Sequence, residues 1–140
     1  MHKLRVEYPR EPYRIYSLAD WIARETTYCR PALLWITEWG IWASSENLHL
    51  YYTLRQAAGD HQLLEEAPGH LFLNHELPEL ASFIQVAMLN GWGGYILTDM
   101  NYINAFFSHD EYVDFFAAEG TNIAVVRAGL SELLKPGMKK

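Results

Sequence analysis

The chain has 140 residues, half of them hydrophobic, and at this length one core can form without disulfides or a bound metal. Its single cysteine, Cys29, excludes an internal disulfide framework and is typical of a reducing cytoplasm. The charged N-terminal segment and the lack of any apolar run of about 18 residues argue against a signal peptide and a membrane-spanning helix. We therefore expect a cytoplasmic protein with one globular domain over residues 1–135 and a frayed tail over residues 136–140.

Charge is distributed unevenly along the chain, whose formal net charge is −6. Residues 1–30 sum to +2 and residues 127–140 to +3, whereas the body between them contains one base, Arg55, and sums to −11. Nucleic acids and anionic membrane surfaces are bound by clustered lysine and arginine, which this body lacks. The distribution argues against both of these partners. It favours either simple solubility or association with a basic protein partner.

The N-terminal third predicts a strand, a helix and a second strand. Residues 3–8 alternate polar and apolar side chains, as a half-buried strand does, and Pro9 confines this strand to a sheet edge. Ser17 is the predicted N-cap of a helix that Pro31 ends. Residues 32–42 are strongly apolar and aromatic, which predicts a buried strand.

The middle of the chain predicts a helix, a strand and another helix. Residues 46–58 are good helix formers, and Gly59 marks the end of that helix. Residues 70–74 predict a short strand. Residues 77–88 place their apolar side chains on one helical stripe, with Pro78 in the first turn.

The C-terminal third predicts a hairpin, a helix and a last strand. Residues 95–98 and 103–107 predict the hairpin, which turns at Asp99. Residues 122–126 predict the strand, and residues 131–134 a terminal helical turn. The whole order of elements predicts an α+β or α/β fold, with a mixed sheet of about five strands packed by four to five helices.

The helix between the hairpin and the last strand is predicted from a capping box. Ser108 and Glu111 have the required spacing, and the helix would extend to about residue 118. Asp110 and Asp114 would then lie one turn apart and form a negative ridge. Such a ridge is a candidate contact for a basic partner.

No metal or cofactor motif is present in the sequence. None of the six histidines has another histidine at the helical i, i+4 spacing of zinc sites. The glycines around Trp92 follow a predicted helix and enter a strand, which is the reverse of a nucleotide-binding loop. We expect no cofactor and no metal.

Glu38 is the one candidate catalytic residue, because it lies within the apolar segment 32–42 beside Trp39. A carboxyl group in an aromatic cleft can protonate a leaving group or bind a sugar. The simpler interpretation is that Glu38 occupies the solvent side of a strand. Hydrolase motifs that would support catalysis are missing from the sequence.

The leading hypothesis is a non-enzymatic domain of the inhibitor or adaptor type, whose acidic surface binds a basic protein and whose exposed aromatics are anchors. The candidate binding residues are Asp99, Asp110, Glu111, Asp114, Trp39 and Trp92. The alternative is a small-ligand-binding protein or hydrolase with Glu38 in a tryptophan-lined cleft. A deep cavity containing Glu38 and tryptophan favours the alternative, and a flat acidic patch with exposed aromatics favours the leading hypothesis. The sequence leaves the oligomeric state open.

Overall fold

A computed structural model describes residues 1–27, 31–38, 53–57, 59, 69–73, 75–99 and 102–133. The described elements, in chain order, are β1 (His2–Glu7), α1 (Pro12–Thr27), β2 (Ala32–Glu38), α2 (residues 53–57), β3 (Gly69–Phe72), α3 (Leu77–Leu89), β4 (Gly93–Thr98), β5 (Asn104–Ser108), β6 (Tyr112–Ala117) and α4 (Gly120–Leu133). The six strands form one sheet in the order β1-β6-β5-β4-β2-β3.

The architecture is α+β, as the sequence predicted, with six strands and four helices in the described part of the chain. The prediction of a mixed sheet is wrong, because every neighbouring pair of strands is antiparallel. Strands β4, β5 and β6 follow one another as a meander. Strand β1 pairs with β6 and therefore lies at one edge of the sheet, as predicted for residues 3–8.

The helices pack on one face of the sheet and enclose the core with it. Strand residues alternate between the two faces, so every second side chain of a strand points at the helices. The buried set comes from α1, α3, α4 and the strands, and includes Leu18, Ile22, Leu34, Ile84, Ile96, Phe107, Phe115 and Val126. The ring of Trp21 in α1 meets that of Phe115 edge to face, with centroids 6.0 Å apart. Leu54 of α2 packs against the same core.

Helix α1 begins five residues earlier than its predicted cap. It starts at Pro12, where a fixed φ suits the first helical turn and the missing N–H leaves no donor unpaired. Ser17 therefore lies inside the helix, and its hydroxyl donates a hydrogen bond to the carbonyl of Tyr13 at 3.1 Å. The predicted cap at Ser17 is wrong because the helix already begins at Pro12, so Ser17 lies in its interior.

The helix predicted from residue 108 to 118 is also wrong, because these residues form a hairpin turn and strand β6. Glu111 has a φ of 68°, which no α-helix accommodates. Its N–H donates to the carbonyl of Ser108 at 3.1 Å, and the N–H of Asp110 donates to the Ser108 hydroxyl at 3.0 Å. The Ser108 hydroxyl thus caps a turn instead of a helix. Val113 and Phe115 alternate into the core as strand residues do.

The strand predicted at residues 122–126 is part of helix α4. These residues are rich in β-branched side chains, which favoured a strand. In the helix, Ile123, Val126 and Leu130 fall at spacings of three and four and all reach the core. Burial of this stripe outweighs the weaker helix propensity of its residues.

The remaining elements agree with the sequence where they are described. Helix α3 and the β4–β5 hairpin have their predicted positions, and β3 matches the strand predicted at residues 70–74. The continuation of the second strand to residue 42, the predicted helical residues 46–52 and the tail from residue 136 lie outside the described residues. Among the helices that the structure describes, none combines the length and apolar character needed to cross a bilayer.

Candidate functional site

The sheet face opposite the helices carries a group of apolar side chains, and we call this face the open face. The strand register places Leu33, Trp35, Leu71, Tyr95, Phe106 and Phe116 on it. Leu71 is 56% exposed, Trp35 41% and Tyr95 37%, whereas the others are half-buried or partly covered. Scattered exposed apolar residues are ordinary, but contiguous ones on one surface mark interaction sites.

One line of residues on the open face, the cross-sheet row, crosses all six strands. Its successive Cα partners are Gly69, Trp35, Tyr95, Phe106, Asp114 and Arg5. The ring centroids of Trp35 and Tyr95 are 6.3 Å apart, and those of Tyr95 and Phe106 are 5.0 Å apart. Tilted rings at these distances attract one another and fix each other's orientation. The row is therefore an ordered aromatic surface that ends in an ion pair.

That ion pair holds Asp114, which the sequence placed on an exposed helical ridge. Arg5 Nε donates to Asp114 Oδ1 at 2.8 Å and Arg5 Nη2 donates to Oδ2 at 3.1 Å. The hydrogen bond to Asp114 raises the pKa of Arg5 above its ordinary value. Asp114 is only 4% exposed, and Lys3 Nζ lies 3.8 Å from Oδ2. The ridge of Asp110 and Asp114 does not exist, because Asp114 belongs to a strand and is neutralised there.

Two glycines let β2 and β4 approach closely at the end of the aromatic surface. A Cβ at Gly94 would lie 2.5 Å from the carbonyl oxygen of Trp35 and 2.8 Å from Ile36 Cα. A Cβ at Gly93 would lie 3.2 Å from Glu38 Cβ. The register of β2 shifts between Ile36 and Glu38, and Glu38 pairs with Gly93. The glycine-rich segment thus serves close strand packing and leaves room for Glu38.

Glu38 forms a cluster with the β5–β6 turn, and we call Glu38, His109 and Asp110 the acidic corner. His109 Nδ1 lies 2.5 Å from Glu38 Oε1, and His109 Nε2 lies 3.4 Å from Asp110 Oδ1. All three side chains are about half or more exposed to solvent. Sequence reasoning singled out Glu38 and Asp110 but missed His109 as their link. No local signal joins β2 to a turn so far away along the chain, because only the strand order brings them together.

The other predicted binding residues lie apart from this corner. Glu111 is exposed in the same turn as Asp110. Asp99 follows β4 at the end of the strand opposite Gly93. Trp92 is fully buried in the core, which corrects its prediction as an exposed anchor. Trp39 lies outside the described residues.

Neither of two cavities lined by described residues contains Glu38 or a tryptophan. One of about 380 Å³ lies where β1 meets the β5–β6 turn, and Tyr8, Arg10 and Glu111 contribute to its lining. Burial raises the pKa of Tyr8, whose hydroxyl has no hydrogen-bond partner among the described residues. A slot of about 250 Å³ runs between β1 and α4. Within the described part of the chain, no three histidine, cysteine or carboxylate side chains are grouped as a metal site requires.

Comparisons with protein-family models, with curated proteins and with solved structures yielded no match to this chain.

Proposed function

We propose that this domain binds a basic protein partner through the open face of its sheet, with the acidic corner at the rim of the contact. The observation that carries the proposal is the run of exposed Trp35 and Tyr95 and half-buried Phe106 beside Glu38 and Asp110. Aromatic side chains supply most of the binding energy at the centre of protein interfaces. Charged groups at the rim guide association and select the partner.

The charges near the aromatic run favour a basic partner. Glu38 and Asp110 flank a single histidine, so their two carboxylates leave the corner net negative in either protonation state of the imidazole. Asp114 and Asp99 take no part in the proposal, because Asp114 is paired with Arg5 and Asp99 lies at the far end of β4. The inhibitor or adaptor type of protein remains the class that fits this arrangement.

An aromatic sheet face can also stack nucleobases. The charges around the open face distinguish binding of a nucleic acid from binding of a basic protein. Proteins that stack single-stranded nucleic acid surround the aromatics with a basic groove that follows the phosphates. On the open face, Lys3 and Arg5 both lie within 4 Å of Asp114. The acidic corner at the other side would repel phosphate. A basic protein segment meets no such repulsion.

The experiment that tests the proposal is a capture from native lysate, followed by titration of the purified chain with each protein identified. A matched set of variants is Tyr95→Ser on the open face, Glu38→Gln in the corner and Val125→Ser on α4. Val125 is 51% exposed on a helix and thus controls for the loss of a surface apolar group. We expect Tyr95→Ser to weaken the complex by about tenfold or more, in line with an interface anchor. Glu38→Gln should weaken it most at low salt, because screening shortens the reach of exposed charges.

The proposal fails if the proteins identified are acidic or if Val125→Ser weakens binding as much as Tyr95→Ser does. It fails equally if added salt leaves the affinity of every identified partner unchanged.

A second function, hydrolysis of a small ligand, is favoured by the contact between Glu38 and His109. A carboxylate that accepts the Nδ1–H of an imidazole orients the ring, and Nε2, which lies 3.4 Å from Asp110 Oδ1, would exchange that contact for a proton taken from water or a substrate. This function predicts turnover of an ester, phosphoester or glycoside that His109→Gln abolishes while Tyr95→Ser does not. Equal rates for the wild type and His109→Gln across such a panel would eliminate it.

A further inference from the structure

Strand β1 leaves one side of its backbone without a partner in the described sheet. It is the terminal strand of the order β1-β6-β5-β4-β2-β3, and all its residues from His2 to Glu7 pair with β6 on the inner side. Of the strands that the structure describes, none pairs with its outer side. A free edge of this length is a template for another strand, and proteins protect such edges by charges, bulges or covering segments.

The same edge carries an apolar slot on the helix side of the sheet. Leu4 and Val6 of β1 line it together with Leu130 and Arg127 of α4, and its volume is about 250 Å³. Both β1 side chains are only partly buried. A strand added to β1 would place its own alternate side chains over this slot, as extended segments do when they extend a sheet.

We propose that the occupant is a second copy of this chain, whose β1 pairs with β1 in an antiparallel, twofold-symmetric arrangement centred on Arg5. Lys3 then lies opposite Glu7 of the second copy, and this pair occurs twice by symmetry. Leu4 lies opposite Val6 of the second copy on the helix side, again twice, and covers the slot. The open faces of the two copies form one continuous surface.

The charge pattern and the paired length of β1 together select this register among those that keep like faces together. Centring the pair on Leu4 would set Lys3 against Arg5 of the second copy, which places like charges opposite each other twice. Centring it on Val6 would pair only residues 5–7 of the strand and bring Pro9, which has no N–H, opposite Lys3. The register centred on Arg5 pairs residues 3–7 and opposes unlike charges at both flanks.

The central Arg5 residues are already neutralised within their own copies. Each guanidinium forms two hydrogen bonds to Asp114 and lies 3.8 Å from the ring centroid of Tyr112. Where the two Arg5 side chains lie opposite each other in the dimer, each is therefore accompanied by the Asp114 carboxylate of its own copy, which offsets its positive charge. A twofold contact of this kind uses the same patch on both copies, so each favourable pair counts twice.

Charge reversal tests the register directly, with sedimentation velocity as the measure of mass. The wild-type chain should sediment as a dimer at high concentration and dissociate on dilution. Glu7→Lys and Lys3→Glu should each raise the dimer dissociation constant by about tenfold or more, because each turns two attractive pairs into repulsive ones. The double variant K3E/E7K exchanges the charges and should restore the wild-type dissociation constant. Glu79→Lys, at an exposed position of α3, makes the same charge change away from β1 and should leave the dimer intact.

Each other outcome overturns the proposal. A monomeric wild type would leave the edge to a different partner, and a dimer insensitive to both reversals would lie on another surface. A dimer strengthened by Lys3→Glu would have the register centred on Leu4, and one sensitive to Glu7→Lys alone would have the register centred on Val6. Circular dichroism of each variant confirms that its fold is retained. The open-face variant Tyr95→Ser should leave dimerisation unchanged, which separates this inference from the proposed partner binding.

Discussion

Arg5 and Asp114 are cross-strand partners on β1 and β6, and their side chains form two parallel hydrogen bonds with Nε to Oδ1 at 2.8 Å and Nη2 to Oδ2 at 3.1 Å. Bidentate, charge-assisted contacts of this kind are stronger than neutral hydrogen bonds. The pair ties β1, the first strand of the chain, to β6, the last strand that the structure describes.

Replacement of Asp114 by asparagine should destabilise the fold. The amide removes the negative charge and one acceptor from a site that is 4% exposed, and leaves Arg5 and Lys3 without compensation. We expect a loss of about 1–2 kcal/mol in the free energy of unfolding, measured in urea. Asp110→Asn is the matched control, because Asp110 is exposed, and it should change stability by less than about 0.5 kcal/mol. Equal effects of the two variants would contradict a structural role for the pair.

Replacement of Tyr8 by phenylalanine should stabilise the fold. The Tyr8 hydroxyl is buried and lacks a hydrogen-bond partner among the described residues, so the variant removes an uncompensated polar group. At neutral pH we expect a gain of about 1 kcal/mol in the free energy of unfolding. A loss of stability would mean that the hydroxyl is satisfied, for instance by a bound water.

The same residue predicts a pH dependence at the alkaline end. Burial raises the pKa of Tyr8 in the folded state, with a smaller contribution from Glu111. Below the unfolded pKa of about 10 the ionisation of Tyr8 does not affect stability, and as the pH rises from there toward the folded pKa the free energy of unfolding falls, because only the unfolded chain releases the proton. Urea titrations between pH 8 and about 11 should therefore show a smaller fall in stability for Tyr8→Phe than for the wild type.

Glu111→Gly tests the hairpin that replaced the predicted helix. Glu111 has a φ of 68°, which glycine adopts more readily than any other residue. In the hairpin, relief of this strain should raise the free energy of unfolding by about 0.5–1 kcal/mol. In a helix, the same change would remove the capping glutamate and lower stability. The sign of the effect in thermal or urea unfolding distinguishes the two.

Gly94→Ala should be among the most damaging single changes. The new Cβ would lie 2.5 Å from the carbonyl oxygen of Trp35, a backbone atom that cannot move without parting β2 from β4. We expect destabilisation by about 2–4 kcal/mol or loss of the folded state. Gly69→Ala is the control, because its Cβ would meet the side chain of Leu33 at 3.1 Å, and that side chain can rotate away. Similar stabilities of the two variants in urea would contradict the close approach.

Sequence patterns predicted the secondary structure correctly where the local preference of a segment and the burial of its side chains favour the same element. The polar–apolar alternation of β1, the apolar stripe of α3 and the pairing of β4 with β5 could each be predicted from the sequence, because side-chain period is a local property. The same logic failed at residues 108–118 and 122–126. A serine followed three residues later by a glutamate also suits a tight turn, and β-branched residues such as Ile123 and Val126 fit a helix once they reach a core.

The candidate site depended on tertiary structure almost entirely. The sequence supplied the acidic and aromatic residues, and it singled out Glu38 and Asp110 as candidates. Their connection through His109, the cross-sheet row and the pairing of Asp114 with Arg5 follow from strand order and register. An antiparallel sheet sets residues from distant parts of the chain side by side, and a shift of one residue in register would move every side chain to the opposite face. Composition and local period determined which side chains were present, whereas the pairing of the strands decided which of them meet.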